Sequence, residues 1–160
     1  MTLAVFSGIL TPKRWGHMQH TTRQAALNMI LAAPIFTLAT IDASGYPTMV
    51  ALRPLPTHRS LKELFFYTSR QTMTVQNLRA SKHASLFCYS LDDYSSVMLK
   101  GQLTVVGHTA FQSNWRHELN DFQKQLNYQD PVILRFQTST IKIRQMTRID
   151  HLERLTTTDK

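Results

Sequence analysis

The chain has 160 residues, 42% of them hydrophobic and 18% charged, with 18 Lys+Arg against 10 Asp+Glu and a formal net charge of +8. This is globular rather than disordered composition, and the length suits a single domain over residues 1–160. One cysteine, Cys88, excludes a disulfide-stapled scaffold.

The charge falls in two groups: Arg53, Arg59, Lys62, Arg70, Arg79 and Lys82, then Arg135, Lys142, Arg144 and Arg148. Neither is a contiguous run, and no zinc-finger, RNA-recognition or basic-helix signature accompanies them, so nucleic acid is not an expected partner. They read as solvated faces or as sites for a small anion. The most apolar stretch, Ala25–Ile41, is interrupted by Asn28, Pro34, Thr37 and Thr40, which argues against a membrane span. The opening MTLAVFSGIL has no basic residue before its apolar run and no clear cleavage site, so a cytoplasmic location is expected.

In chain order, residues 1–20 read as an extension before the core, which is expected over about 21–146. Thr21 and Gln24 form a candidate capping box opening a helix that Pro34 stops after Ala33. Ile35–Asp42 alternates as a strand, turns at Ala43-Ser44-Gly45 and returns as Pro47–Pro54. A polar loop through Thr57, His58 and Arg59 then leads to Leu61–Thr68, giving three consecutive strands in a meander. Gln71–Ala80 reads as a short helix with Val75 and Leu78 on one face, and His83–Ser90 as a fourth strand turned by Asp92-Asp93.

In the fifth strand Val97, Leu99, Leu103 and Val105 share one face, while Met98, Lys100, Gln102 and Thr104 share the other. Gly101 inside it marks a bulge or sharp bend. A second capping box, Thr109 to Gln112, predicts a helix through Trp115 and Leu119 to about Phe122. In Val132–Met146, Leu134 and Phe136 have one parity and Ile141 and Ile143 the other, which a break near Thr138–Thr140 would reconcile. Residues 149–160 read as a polar tail. The sum is a mainly β chain of six or so antiparallel strands and three helices, for which a closed or partly closed barrel removes the sheet edges.

The order of a first helix, FTLATIDASGYPTMVAL, LFFYTSRQTMTVQNLRA, ASLFCYS, VMLKGQLTVV and a Trp-bearing helix resembles the pyridoxamine 5′-phosphate oxidase-like split-barrel flavoproteins, nearest the general-stress-protein type. The resemblance covers Thr21 to Met146 and rests on the order and spacing of short motifs. It implies a six-stranded antiparallel split β-barrel with flanking helices, forming a homodimer with FMN in two clefts at the subunit interface. The strand after the Gly-x-Pro turn would lie against the flavin, here through Val50, Ala51 and Leu52. Tyr67, Thr68, Ser69, Arg70 and Thr72 would hold the ribityl chain and phosphate. Hydroxyls and N–H groups at a helix start suit an anion.

The chain departs from the family where the phosphate would take its countercharge, because Met73 and Thr74 stand where an Arg or Lys and a Lys often occur. Val50 and Ser96 stand where pyridoxamine-phosphate oxidases carry an arginine and a glutamine, so that specific activity is not expected. Read on their own, Thr68, Ser69 and Thr72 are a strand end and a helix cap, and Arg70 a solvated turn residue. Cys88 reads as a small buried hydrophobe and Trp115 as core. His17 and His20 have no acidic or thiol neighbour for a metal, and His108 reads as a turn residue. No nucleophile-elbow, metalloprotease or phosphate-loop pattern occurs. The expectation is an FMN-binding, oxidoreductase-like protein passing hydride or electrons between a nicotinamide donor and a small-molecule substrate, with catalytic residues unassigned and no metal. The alternative is a non-catalytic carrier or sensor binding FMN weakly, or haem.

Overall fold

A computed structural model of the chain describes residues 20–107 and 115–153, with residues 152 and 153 as backbone only. Helix α1 (His20–Ala32) is followed by strands β1 (Phe36–Ile41), β2 (Pro47–Leu52), β3 (Pro54–Arg59) and β4 (Glu63–Ser69). The short helix α2 (Met73–Asn77) leads to β5 (His83–Tyr89) and β6 (Ser96–Val106). A 3-10 turn (Trp115–Glu118) and helix α3 (Asp121–Gln125) precede β7 (Pro131–Gln145) and β8 (Arg148–Glu153).

All strands lie in one antiparallel sheet of order β2-β1-β5-β6-β7-β4-β3, with β8 on the free half of β7. β2 and β3 stand at opposite ends of that order, yet only Arg53 separates them in the chain. A flat sheet cannot satisfy both conditions. The sheet therefore curls until its ends meet, which is the split barrel.

The inner face carries the core. Phe36 and Leu38 of β1, Leu64 and Phe66 of β4, Leu86 of β5, Leu99 and Leu103 of β6 and Leu134, Phe136 and Ile143 of β7 are all fully buried. Ala26 and Ile30 of α1 close over them. Each such side chain contributes about 1.5–3 kcal/mol on burial. β4 is buried on both faces, because Phe65 and Tyr67 turn outward into a second cluster with Leu55, Trp115, Leu119 and Ile133. That explains its unbroken Leu-Phe-Phe-Tyr run.

The expected change of phase in β7 is a one-residue slip. Lys100 pairs with Thr140 and Gly101 with Thr138, leaving Ser139 unmatched, so Phe136 and Ile141 both point inward. Gly101 is required there, since a Cβ would lie 1.9 Å from the Gln137 carbonyl oxygen. At the other marked turn, Gly45 has φ +86° and Asp42 accepts from the backbone N–H groups of Ser44 and Tyr46.

Several boundaries differ from expectation. α1 starts at His20, so Thr21 is not its cap, and the Gln24 amide reaches forward to Asn28 instead. The supposed polar loop is strand β3, paired with β4, and β2 pairs with β1 alone, so there is no three-strand meander. Arg59 fastens this edge by donating to the carbonyls of Leu31 and Ala33 at the end of α1. Burial first, and then Arg53, hold the Arg59 guanidinium below its usual pKa. The polar tail begins as β8, bringing the described strands to eight rather than six. From Trp115 on, the expected Trp-bearing helix is two short pieces, because Asn120 and Gln123 form their own capping box at the start of α3. Thr109, Gln112, His17 and His108 lie outside the described residues.

Cys88 is buried on the inner face, and desolvation pushes its thiol up to about 11 from 9.0. Ellman's reagent is therefore expected to label it only after unfolding. Because only the unfolded chain ionises this thiol between about 9 and about 11, its contribution to stability is complete below that window. It is lost as pH rises through the window. Rapid labelling of the folded protein would contradict this. Among the described residues no helix is long and apolar enough to cross a membrane, and no three His, Cys, Asp or Glu side chains converge as for a metal.

Candidate functional site

The end of β4 and the start of α2 bring together the hydroxyls singled out in the sequence. Thr68 and Ser69 are buried, and Thr72 Oγ1 lies 3.4 Å from Thr68 Oγ1 while donating to the Ser69 carbonyl at 2.9 Å. Ser69 Oγ accepts from the Gln71 backbone N–H. Thr72 is the N-cap of α2 by backbone geometry, yet its side chain makes no capping bond to the first turn. The Thr68 and Thr72 hydroxyls thus meet at the start of α2, while Ser69 Oγ is engaged by the Gln71 N–H, and hydroxyls at a helix start suit a phosphate or other oxyanion.

A second group fixes this turn against the sheet. Asn77, buried in α2, donates to Thr40 Oγ1 at 2.9 Å and to Thr48 Oγ1 at 2.8 Å, joining α2 to the β1–β2 hairpin. Asn77 was not identifiable beforehand, since its partners stand 29 and 37 residues away and no local motif marks them.

The strand expected to lie along a flavin is β2. Val50 pairs with Leu38 and so points to the inner face, as do Thr48 and Leu52. Thr48 is held by Asn77 and Leu52 packs on the core, yet Val50 between them remains 38% exposed. The barrel is thus open over Val50, beside the helix that Thr72 begins. Ala51 points the other way, to the outer face, level with Thr37.

Arg70 and Tyr67 are placed differently from the hydroxyls. Arg70 Nε donates to Asp130 Oδ2 at 3.1 Å and its backbone N–H to the Asp130 carbonyl, which leaves the two terminal amino groups of the guanidinium for an anion. Asp130, which nothing in the sequence distinguished, therefore orients and partly neutralises the one cation of this segment. Tyr67 has its side chain on the face opposite Thr68, against Trp115 and Tyr128. Burial, and secondarily Tyr128, raise its phenol above the usual range, with Arg116 acting the other way. Met73 is exposed and Thr74 half-buried, and neither supplies charge.

The outer face of β1, β2 and β5 carries one largely apolar row. This cross-strand row runs Ala51, Thr37, Phe87 and Met98, and Phe87 stacks on exposed Tyr89 with centroids 6.0 Å apart. The next row starts at Met49, which is 74% exposed.

A family model described as pyridoxamine 5′-phosphate oxidase matches residues 22–150. Among solved structures, a Clostridium acetobutylicum protein related to general stress protein 26 aligns with TM-score 0.71 at 16% identity, over 85% of this chain and 96% of that one. An FMN-binding, pyridoxamine 5′-phosphate oxidase-related protein of Nostoc punctiforme aligns with TM-score 0.63 at 14% identity, over 82% and 86%. A heme-binding protein of Mycobacterium smegmatis aligns with TM-score 0.66 at 14% identity, over 86% and 60%. No curated protein matched.

Proposed function

The chain belongs to the pyridoxamine 5′-phosphate oxidase family, and we propose that within it this protein binds FMN as an oxidoreductase-like flavoprotein. The observation that carries the reading is the cradle formed where the Thr68 and Thr72 hydroxyls meet at the start of α2, near the exposed Val50. The Thr68 hydroxyl, the Thr72 hydroxyl once it releases the Ser69 carbonyl, and the first-turn N–H groups of α2 would take the phosphate, with Ser69 at the edge and Arg70 supplying charge from its exposed amino groups. Val50 and Leu52 would face the ring system from the inner side of β2, and Tyr67 and Ala51 would contribute through the backbone alone. Bound FMN supplies hydride and electron transfer, which suits a reduced nicotinamide as donor and a small-molecule acceptor. The chain's own part is to bind, orient and exclude water.

A colour test decides it. The purified protein, mixed with FMN and gel-filtered, is expected to keep flavin absorbance, and Thr72→Glu to weaken retention by roughly ten-fold or more through repulsion of the phosphate. A colourless wild type that rejects FMN overturns the reading.

Haem is the second reading, and one observation favours it. Met73 and Thr74 are neutral and Arg70 is shared with Asp130, so the cradle is poor in charge for a phosphate. A Soret band on reconstitution with haemin, without flavin retention, would establish this carrier or sensor role.

The row of Ala51, Thr37, Phe87 and Met98 on the outer face, with exposed Met49 and Tyr89 beside it, fits a second copy of the chain. A homodimer through this face is expected by light scattering, with Phe87→Glu shifting it to monomer. A monomeric wild type at micromolar concentration would remove the dimer.

A further inference from the structure

Where α2 meets the β1–β2 hairpin, three polar side chains form a closed triangle. Asn77 is 4% exposed and Thr40 2%, while Thr48 is half-buried. The Asn77 amide carries two hydrogens, and each has its own acceptor: Thr40 Oγ1 at 2.9 Å and Thr48 Oγ1 at 2.8 Å. The two hydroxyl oxygens lie 3.2 Å apart, and Thr48 Oγ1 donates to the Thr40 carbonyl at 3.4 Å. With that proton committed, the Thr40 hydroxyl is the donor between the two. Every hydrogen of the triangle is thus assigned, and position 77 must supply two of them, which an aspartate of the same shape does not have.

Apolar residues of the same size could fill this space at little cost in stability, so what the hydrogen bonds add is direction and register. They act between two lightly held pieces. In the sheet β2 pairs with β1 alone, and α2 is only five residues long. Thr48 lies on the same face of β2 as Val50, two residues before it. Thr72 opens α2 five residues before Asn77. Asn77 therefore fixes where Thr72 stands relative to Val50.

We propose that Asn77, acting through Thr40 and Thr48, is a positioning residue that sets the spacing between the Thr68–Thr72 hydroxyls and Val50, and with it the affinity for a molecule that must reach both. The inference rests on the FMN reading, in which the phosphate lies at the first end and the ring system at the second. A rigid two-ended ligand loses contacts when either end of its site is displaced. Thr40 is too deeply buried to touch the ligand, so any effect of changing it passes through the triangle.

The test is FMN titrated into the whole protein and followed by flavin fluorescence, at a temperature well below the unfolding midpoint of every variant. Thr40→Val keeps the shape and removes the hydroxyl, and it should weaken FMN binding by roughly five- to ten-fold. Thr40→Ser, which keeps the hydroxyl, should restore the affinity. Thr48→Val, at a half-buried position, makes the same measurement where Thr40→Val does not fold. Ile143→Ala is the control for lost stability, since it opens the core three strands along the sheet from β1 and leaves the triangle intact. It should bind FMN as the wild type does. Three results would overturn the proposal: valine variants that bind like the wild type, a serine variant no better than the valine, or an equal loss in Ile143→Ala. A wild type that retains no FMN overturns the FMN reading and this inference with it, whereas retention that the valine variants leave unchanged overturns this inference alone.

Discussion

Gly101→Ala is expected to destabilise the protein by about 3 kcal/mol or more. The added methyl would sit 1.9 Å from the Gln137 carbonyl oxygen and 3.1 Å from the Phe136 ring. The nearer atom is backbone, in the partner strand of the same ladder, so no rotamer change relieves the clash. Either β6 and β7 separate at the bulge or the slip between Lys100 and Gly101 is lost. Losing the slip would turn either Phe136 or Ile141 out of the core, since their parities agree only through it. Urea unfolding is expected to show a large fall in midpoint with little change in slope. A midpoint near that of the wild type would mean that the two strands are not this close.

Phe66→Ala is the second large effect, about 3–5 kcal/mol. Phe66 is fully buried on β4 and meets Phe36 of β1 edge to face, with centroids 6.3 Å apart and planes at 79°. β4 and β1 are separated by three strands in the sheet order, so this contact is made across the barrel rather than along it. A double-mutant cycle with Phe36→Leu and Phe66→Leu is expected to give a coupling of about 0.5–1.5 kcal/mol. Additive losses would mean that the rings do not touch and the sheet is less curled than described.

Most of the strand pattern was readable because burial on one face imposes period two. β1, β5 and β6 alternate almost without exception, and the conflict of parities in β7 located its slip. β3 was not readable for a physical reason. Pro-Leu-Pro-Thr-His-Arg carries two prolines and two basic-type side chains, the composition of a turn, and it forms a strand only because it is an edge, where missing N–H donors are tolerated. β8 was missed because it pairs with the part of β7 that extends beyond β4, and its residues show no strong apolar face. At the candidate site, the clustering of Thr68, Ser69 and Thr72 was legible from their spacing. The restraint of Arg70 by Asp130, the grip of Asn77 on Thr40 and Thr48, and the turning of Tyr67 away from the cradle all depend on long-range contacts.

The order in which the strands leave the ribosome differs from the order in which they pair. β1–β2 and β3–β4 emerge first as two hairpins, and the strands that unite them, β5, β6 and β7, come later. β4 meets its inner neighbour only when residues 131–137 have been made. Until then the nascent chain presents two unpaired strand edges, one of them lined by Leu64, Phe65 and Phe66. Contacts this distant in sequence close slowly, and open apolar edges attract one another. For this protein the vulnerable interval runs until residues 131–137 are made, when a stalled or truncated product has most of its core side chains and no barrel in which to bury them.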